Sequence, residues 1–201
     1  MLIVITGPSG CGKSTLANRM LTEIESLAFS VSHTTRKKRA GEQDGKDYYF
    51  VSTDRFERMV KEGLFIEWAE VHGNYYGTSK RELEKETEAR NLLLDIDVQG
   101  AAQIKGKNID ATFVFILPPL FPELRKRLET RGQDSSPVIL KRLEKAREEI
   151  QHYREFDYIV INDKLDTAAE ELKSVLMSQR YRRESREKEI GPILRSFAEG
   201  E

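Results

Sequence analysis

Thiols are nearly missing from this chain. Cys11 is the single cysteine among 201 residues, which excludes an internal disulfide framework and a multi-cysteine zinc site and agrees with a reducing compartment. An excess of either charge is missing too: 33 Lys and Arg stand against 34 Asp and Glu, a formal net charge of −1. No global basic field therefore points to nucleic acid or an anionic membrane as partner, and any anion site must be local. No apolar run approaches the ~18 residues of a membrane span. The opening Met1-Leu2-Ile3-Val4-Ile5 has neither the basic flank nor the cleavage region of a signal peptide, so a cytoplasmic protein is expected. Internal repeats and low-complexity linkers are absent. The three histidines, His33, His72 and His152, stand apart, with no base or metal pattern around them, and are expected at the surface or in packing. With 38% hydrophobic residues the chain can bury one good core, as a monomer or a homodimer.

What is present begins immediately. Leu2 to Thr6 is almost wholly apolar, as a parallel strand covered on both faces must be. It runs into Gly7-Pro8-Ser9-Gly10-Cys11-Gly12-Lys13-Ser14-Thr15, and a helical pattern follows with Leu16, Met20, Leu21 and Ile24 on one face. Glycines at both ends of the loop let the backbone curl so that its N–H groups point inward. Lys13 adds a mobile cation, Ser14 a hydroxyl for Mg²⁺, and the helix its positive end. A bare glycine turn between strand and helix has no need of the lysine and hydroxyl, so the loop reads as a nucleoside triphosphate cradle.

The rest of the chain alternates. Helix one is expected from about Gly12 to Ser26. From Phe29 to Thr78 the residues are polar, aromatic and β-favouring, with strands expected at Ser30–Ser32, Asp47–Val51 and Leu64–Trp68 and one short helix from a cap at Thr53 or Asp54 to Glu62. So long a strand-rich stretch, set before the next buried strand, is expected to be a small inserted domain. A charged helix is expected over Ser79–Arg90 and a buried strand over Asn91–Asp97, closing on Asp95 and Asp97. Thr112–Leu117 and Asp157–Asn162 complete four core strands. Phe121–Thr130 and Pro137–Tyr153 are expected as basic helices, Leu165 to about Lys188 as one long helix, and the tail from Gly191 as a fraying end. The alternation predicts an α/β fold, a mostly parallel sheet flanked by helices, with ligands at the strand carboxyl ends.

Two features of the insertion carry chemistry. Arg36 and Arg39, with Tyr48 and Tyr75-Tyr76 to follow, can make a monophosphate cup, because guanidinium grips phosphate through paired N–H bonds and keeps its charge. Glu67 lies in an otherwise apolar run between Ile66 and Trp68, an expensive place for a carboxylate without a donor pair. Guanine offers such a pair at N1–H and its exocyclic amine; adenine does not.

At this point the chain resembles a family, the guanylate kinases, up to about Gln179. The resemblance rests on the Gly7–Thr15 loop, on Ser32 to Gly41 with Gly45-Lys46-Asp47-Tyr48, on Phe65-Ile66-Glu67-Trp68, on Gly73-Asn74-Tyr75-Tyr76-Gly77-Thr78 and on Leu94-Asp95-Ile96-Asp97-Val98-Gln99-Gly100. It implies a P-loop nucleoside monophosphate kinase fold and Mg-dependent transfer of the ATP γ-phosphate to GMP. Ser32, Arg36, Arg39, Tyr48, Glu67, Tyr76, Thr78 and Asp95 would line the GMP site, with Ser32, Glu67 and Thr78 on the base. Gly7, Pro8, Ser9, Gly10, Cys11, Gly12, Lys13, Ser14 and Thr15 would hold the ATP phosphates, Ser14 the Mg²⁺, and Asn162 and Asp163 would lie beside adenine. Lys13, Arg39 and the lid arginines Arg127, Arg131 and Arg142 would be catalytic. The domains implied are a core over 1–32, 79–120 and 153–190, a GMP-binding insertion over 33–78, a lid over 121–152 and a tail over 191–201. Lys38 stands where the family usually has proline, which bears on loop stiffness rather than chemistry.

Three rival readings meet obstacles. Asp97-Val98-Gln99-Gly100 fits the Asp-x-x-Gly of GTP-hydrolysing switches, yet their Asn-Lys-x-Asp guanine motif is absent. Guanylate-kinase-like protein-binding modules have damaged P-loops, whereas Lys13 and Ser14 are intact. A sugar-phosphate kinase on the same scaffold has no use for Glu67. Cys11, set at a helix N-terminus, is expected to carry thiolate character and to react with alkylating agents.

Overall fold

The computed structural model describes residues 1–71, 73–84, 91–130 and 135–199. The first strand, β1 (Leu2–Thr6), is buried at every position because both faces of its sheet are covered. Ile3 and Ile5 pack with Leu16, Ala17 and Met20 of α1 (Lys13–Glu23) and with Ala168, Ala169, Leu172 and Leu176 of α7 (Leu165–Ser178). Leu2 and Val4 point the other way, onto Ala101 and Ile104 of α4 (Val98–Gly106). Each such side chain contributes about 1.5–3 kcal/mol by leaving water, so the alternation along one strand fixes two helical layers at once.

The sheet is parallel throughout and has five strands in the order β2-β7-β1-β8-β9. These are β2 (Leu27–Phe29), β7 (Asn91–Asp95), β8 (Ala111–Leu117) and β9 (Tyr158–Ile161) around β1. The sequence reading found four of them. It missed the edge strand Leu27–Phe29, which is too short to show a period, and took Ser30–Ser32 for a strand instead. Ser30 follows that strand, its N–H donating to the Leu93 carbonyl at 3.0 Å.

The inserted segment forms a second sheet, order β4-β3-β6-β5, from β3 (His33–Thr34), β4 (Tyr49–Phe50), β5 (Phe65–Val71) and β6 (Asn74–Ser79). Its own core is aromatic. Phe56 of α2 (Thr53–Lys61), 1% exposed, stacks on Phe65 at 4.5 Å and on Tyr75 at 5.4 Å. The cap of that helix is Ser52, not Thr53 or Asp54: its side chain accepts from the Arg55 N–H at 3.3 Å. Of the charged helix expected over Ser79–Arg90, the described part is α3 (Lys80–Glu84); positions 85–90 lie outside the described residues.

A third cluster joins Leu124 and Leu128 of α5 (Phe121–Thr130) to Ile139, Leu143 and Ala146 of α6 (Ser136–Glu149). The chain leaves α6 through a 3-10 segment, Ile150–Glu155, where one continuous helix to Tyr153 was expected. The long helix expected to about Lys188 also stops early, at Ser178. Gln179 is buried, and its Oε1 accepts from the Thr112 hydroxyl at 3.1 Å, so the helix end is tied to the start of β8 and the chain must turn. After two short 3-10 turns comes α8 (Glu187–Glu199), where a fraying tail was expected. Among the described residues no helix is long and apolar enough to cross a membrane.

Candidate active site

The loop between β1 and α1 ends at Gly12, whose left-handed φ of 97° starts the helix. A side chain there would be strained by that φ and would run into the Asn162 amide. Asn162 is buried beside the loop, and its Nδ2 donates to the Cys11 carbonyl at 2.8 Å. Its amide is thus committed to bracing the P-loop, a role the expectation of an adenine contact did not contain. Asp163 next to it is exposed, and its carbonyl accepts from Arg127 Nη2 at 3.3 Å. The Arg127 Nε also donates to Glu123 at 3.1 Å.

Lys13 folds back over the loop, Nζ donating to the Gly7 carbonyl at 2.6 Å. Burial works against its charge, but the anionic groups around it, Asp95, Glu149 and Asp97 among them, hold its pKa above the ordinary lysine value. Ser14 donates to Asp95 Oδ2 at 3.1 Å. Burial pushes the Asp95 carboxyl up, against the pull of Lys13 and Ser14. Asp95 was expected in the acceptor half. The structure bonds it to the loop, while its charge also reaches Tyr48, whose phenol is pushed up by burial first and by Asp95 next.

Cys11 overturns one expectation. Its side chain is 0% exposed within the core under the loop, and burial raises its pKa more than Lys13 and the nearby backbone N–H lower it. Desolvation outweighs the helix end, so the thiol is protonated and shielded rather than reactive.

In the inserted segment Arg36 makes a two-pronged pair with Glu42, Nη2 to Oε1 at 2.7 Å and Nη1 to Oε2 at 3.1 Å, and lies over the Tyr48 ring at 5.3 Å. The Arg39 backbone N–H donates to the same Glu42 at 2.7 Å, and Tyr48 meets Tyr76 edge to face at 5.9 Å. Of the expected cup of Arg36, Arg39, Tyr48 and Tyr75-Tyr76, the structure brings Arg36, Tyr48 and Tyr76 together, places the Arg39 backbone on the same Glu42, and stacks Tyr75 on Phe56 in the aromatic core instead. Glu42, its organiser, was missed, although an acidic residue three positions past Arg39 was the available signal.

Beyond the cup, Glu67 is 3% exposed and accepts from the Thr78 N–H at 2.9 Å, with the Ser32 and Thr78 hydroxyls 3.4 Å apart alongside. Burial pushes its pKa up to about 7, against hydrogen bonds from Thr78. The carboxylate thus keeps acceptor capacity for an incoming pair of donors.

Arg142 sits half-buried on α6, the helix that also carries Glu149. Glu149, which the sequence did not single out, is buried; burial raises its pKa, opposed by Lys13, Lys145 and the Ser9 N–H of the P-loop. Arg131 and His72 lie outside the described residues. Of the other histidines, His33 packs against Tyr49 at 4.7 Å and exposed His152 pairs with Glu155 at 2.7 Å.

With this geometry in hand, comparison with known proteins is informative. A family model described as guanylate kinase matches residues 1–179. The guanylate kinase of Geobacter metallireducens is 50% identical over 183 residues, covering 90% of each chain, and that of Lactococcus lactis is 49% identical over 90% of this chain and 89% of its own. The crystal structure of guanylate kinase from Anaplasma phagocytophilum superposes with a TM-score of 0.74 at 34% identity, over 91% of this chain and 87% of that one.

Proposed function

The chain belongs to the guanylate kinase family, and from that premise we infer that it transfers the γ-phosphoryl group of ATP to GMP, giving ADP and GDP. The observation that carries the choice of acceptor is Glu67: a buried carboxylate with one oxygen on the Thr78 N–H, able to accept from both N1–H and the exocyclic amine of guanine. Adenine presents an acceptor at N1 and would leave that carboxylate unpaired, which a site built on hydrogen bonds rejects strongly.

Phosphoryl transfer asks the protein chiefly to align two phosphates and to neutralise charge as it spreads over the transferred oxygens. Loop N–H groups and Lys13 hold the donor phosphates. Arg36, Arg39, Tyr48 and Tyr76 hold the acceptor phosphate, which draws the guanidinium of Arg36 off Glu42 or shares it. Ser14 and Asp95 set two hard oxygens side by side, a donor set that fits Mg²⁺ shared with the ATP phosphates, and the ion would neutralise charge on the β- and γ-oxygens. Arg127, Arg131 and Arg142 belong to a lid, residues 121–152, that closes over the transferred group while residues 33–78 close from the acceptor side. Closure excludes water, which would otherwise take the phosphoryl group. Free ATP and GMP as substrates support a cytoplasmic location.

The test is ADP release in a coupled assay with ATP and Mg²⁺ across GMP, dGMP, AMP, CMP and UMP. Turnover confined to the guanine nucleotides is expected; equal turnover with AMP would refute the assignment of Glu67.

A further inference from the structure

Strand β5 is the edge of its sheet, paired with β6 on one side only, so its other row of backbone groups needs partners. Side chains of α4 and the turn after it supply them. Gln103 Nε2 donates to the Trp68 carbonyl at 2.6 Å, while its Oε1 accepts from the Trp68 N–H at 3.2 Å. Lys107 Nζ donates to the Ile66 carbonyl, and Gln99 Nε2 reaches the Glu70 carbonyl at 3.5 Å. The contacts fall on every second strand residue and every fourth residue of the helical segment. That match is geometric: four helical residues advance about 6 Å and two strand residues about 6.6 Å. Gln103 offers the donor and acceptor of a peptide group from a side chain, so it pairs Trp68 as a neighbouring strand would.

The contacts bracket Glu67. The register of β5 on β6 skips Ile66, pairing Phe65 with Ser79 and Glu67 with Thr78, so the bulge leaves Ile66 without a β6 partner and Lys107 takes its carbonyl. The same helix makes room for the carboxylate: a Cβ on Gly100 would strike Glu67 Oε2. Asp97 fixes where that helix begins by accepting from the Gly100 N–H at 2.9 Å.

We infer that Gln103 and Lys107 are positioning residues for Glu67, holding the bulged strand on α4 so that the carboxylate meets the N1–H and amine edge of guanine. The inference rests on reading Glu67 as the guanine acceptor, and the test separates the two. Gln103→Met and Lys107→Met keep side-chain length and helix propensity at positions that are not buried, so both variants fold. The readout is the ratio of kcat/KM for GMP to that for IMP, which keeps N1–H but lacks the amine, together with KM for ATP and the exchange rate of the Trp68 amide. Glu67→Gln serves as the control.

The expected result is a ratio lowered about tenfold in each Met variant, as misplacement of a recognition group by a fraction of an ångström brings. KM for ATP stays unchanged and the Trp68 amide exchanges faster in Gln103→Met. A simple loss of stability would lower kcat for both acceptors and leave the ratio alone, which would overturn the proposal. If Glu67→Gln collapses the ratio while both Met variants keep the wild-type value, the positioning role is wrong and the guanine reading stands. If Glu67→Gln also leaves the ratio unchanged, the guanine reading fails and takes the proposal with it. An unaltered Trp68 exchange rate in Gln103→Met would refute the strand pairing directly.

Discussion

Ionisation of Glu67 should govern how well the enzyme takes up GMP. Burial, the main cause, raises the carboxyl from 4.5 to about 7. Only the ionised form accepts from both donors of guanine. With a pKa near 7, about nine tenths of the free enzyme is competent at pH 8 and about one tenth at pH 6, so kcat/KM for GMP should fall roughly tenfold between them, since that parameter reports free-enzyme ionisations. The phosphate of GMP titrates near pH 6 as well, so the comparison with Glu67→Gln isolates the side chain: the variant has a lower kcat/KM throughout and lacks this step.

Stability gives an independent measure of the same shift. Because the folded pKa lies above the unfolded one, the folded protein holds the proton more tightly. The ionisation penalty is nil below pH 4.5, grows as pH rises through the window from 4.5 to 7, and is complete above it. The shift corresponds to about 3 kcal/mol. Glu67→Gln should therefore melt higher than wild type at pH 8, by an amount that shrinks to nothing toward pH 4.5. Initial rates with GMP and thermal melts across pH 4.5 to 8.5 decide the matter. A wild-type profile parallel to that of the glutamine variant, in rate or in melting temperature, would refute the reasoning.

Three further outcomes are expected. Lys13→Ala should lose transfer by roughly 10²–10³-fold or more while keeping its circular dichroism and melting temperature, because the lysine serves the loop rather than the core; near-normal turnover would remove it from the mechanism. Arg142→Ala, and Arg131→Ala with it, should lower kcat by on the order of 10³-fold with little change in KM for either nucleotide, since a lid cation meets its full charge only in the transition state; a rise in KM alone would make them binding residues. Iodoacetamide should label Cys11 slowly in the native protein and quickly in urea, with mass spectrometry as readout, given its 0% exposure and raised pKa; rapid native labelling would show that the loop opens far enough to expose the thiol.

Parts whose physics is local are legible in the residues alone. The run Leu2–Thr6, apolar at nearly every position, can only be a doubly covered strand. Gly7, Gly10 and Gly12 mark by themselves where the loop takes positive φ. The solitary carboxylate between Ile66 and Trp68 announces a partner through the cost of burying it. Tertiary structure decided whatever depends on where separate segments meet. Leu27–Phe29 is a strand only because β7 lies beside it. The last long helix stops at Ser178 because Gln179 is held by Thr112, 67 residues away in sequence. The reactivity of Cys11 turns on how deeply the fold buries it, a quantity that a helix N-terminus in the sequence does not contain. Likewise Asn162 faces Cys11, and Gln103 pairs Trp68, across separations of 151 and 35 residues. Side-chain hydrogen bonds to backbone leave no periodic trace in sequence, since almost any polar residue can make them. Only the packing of helix on strand selects which ones do.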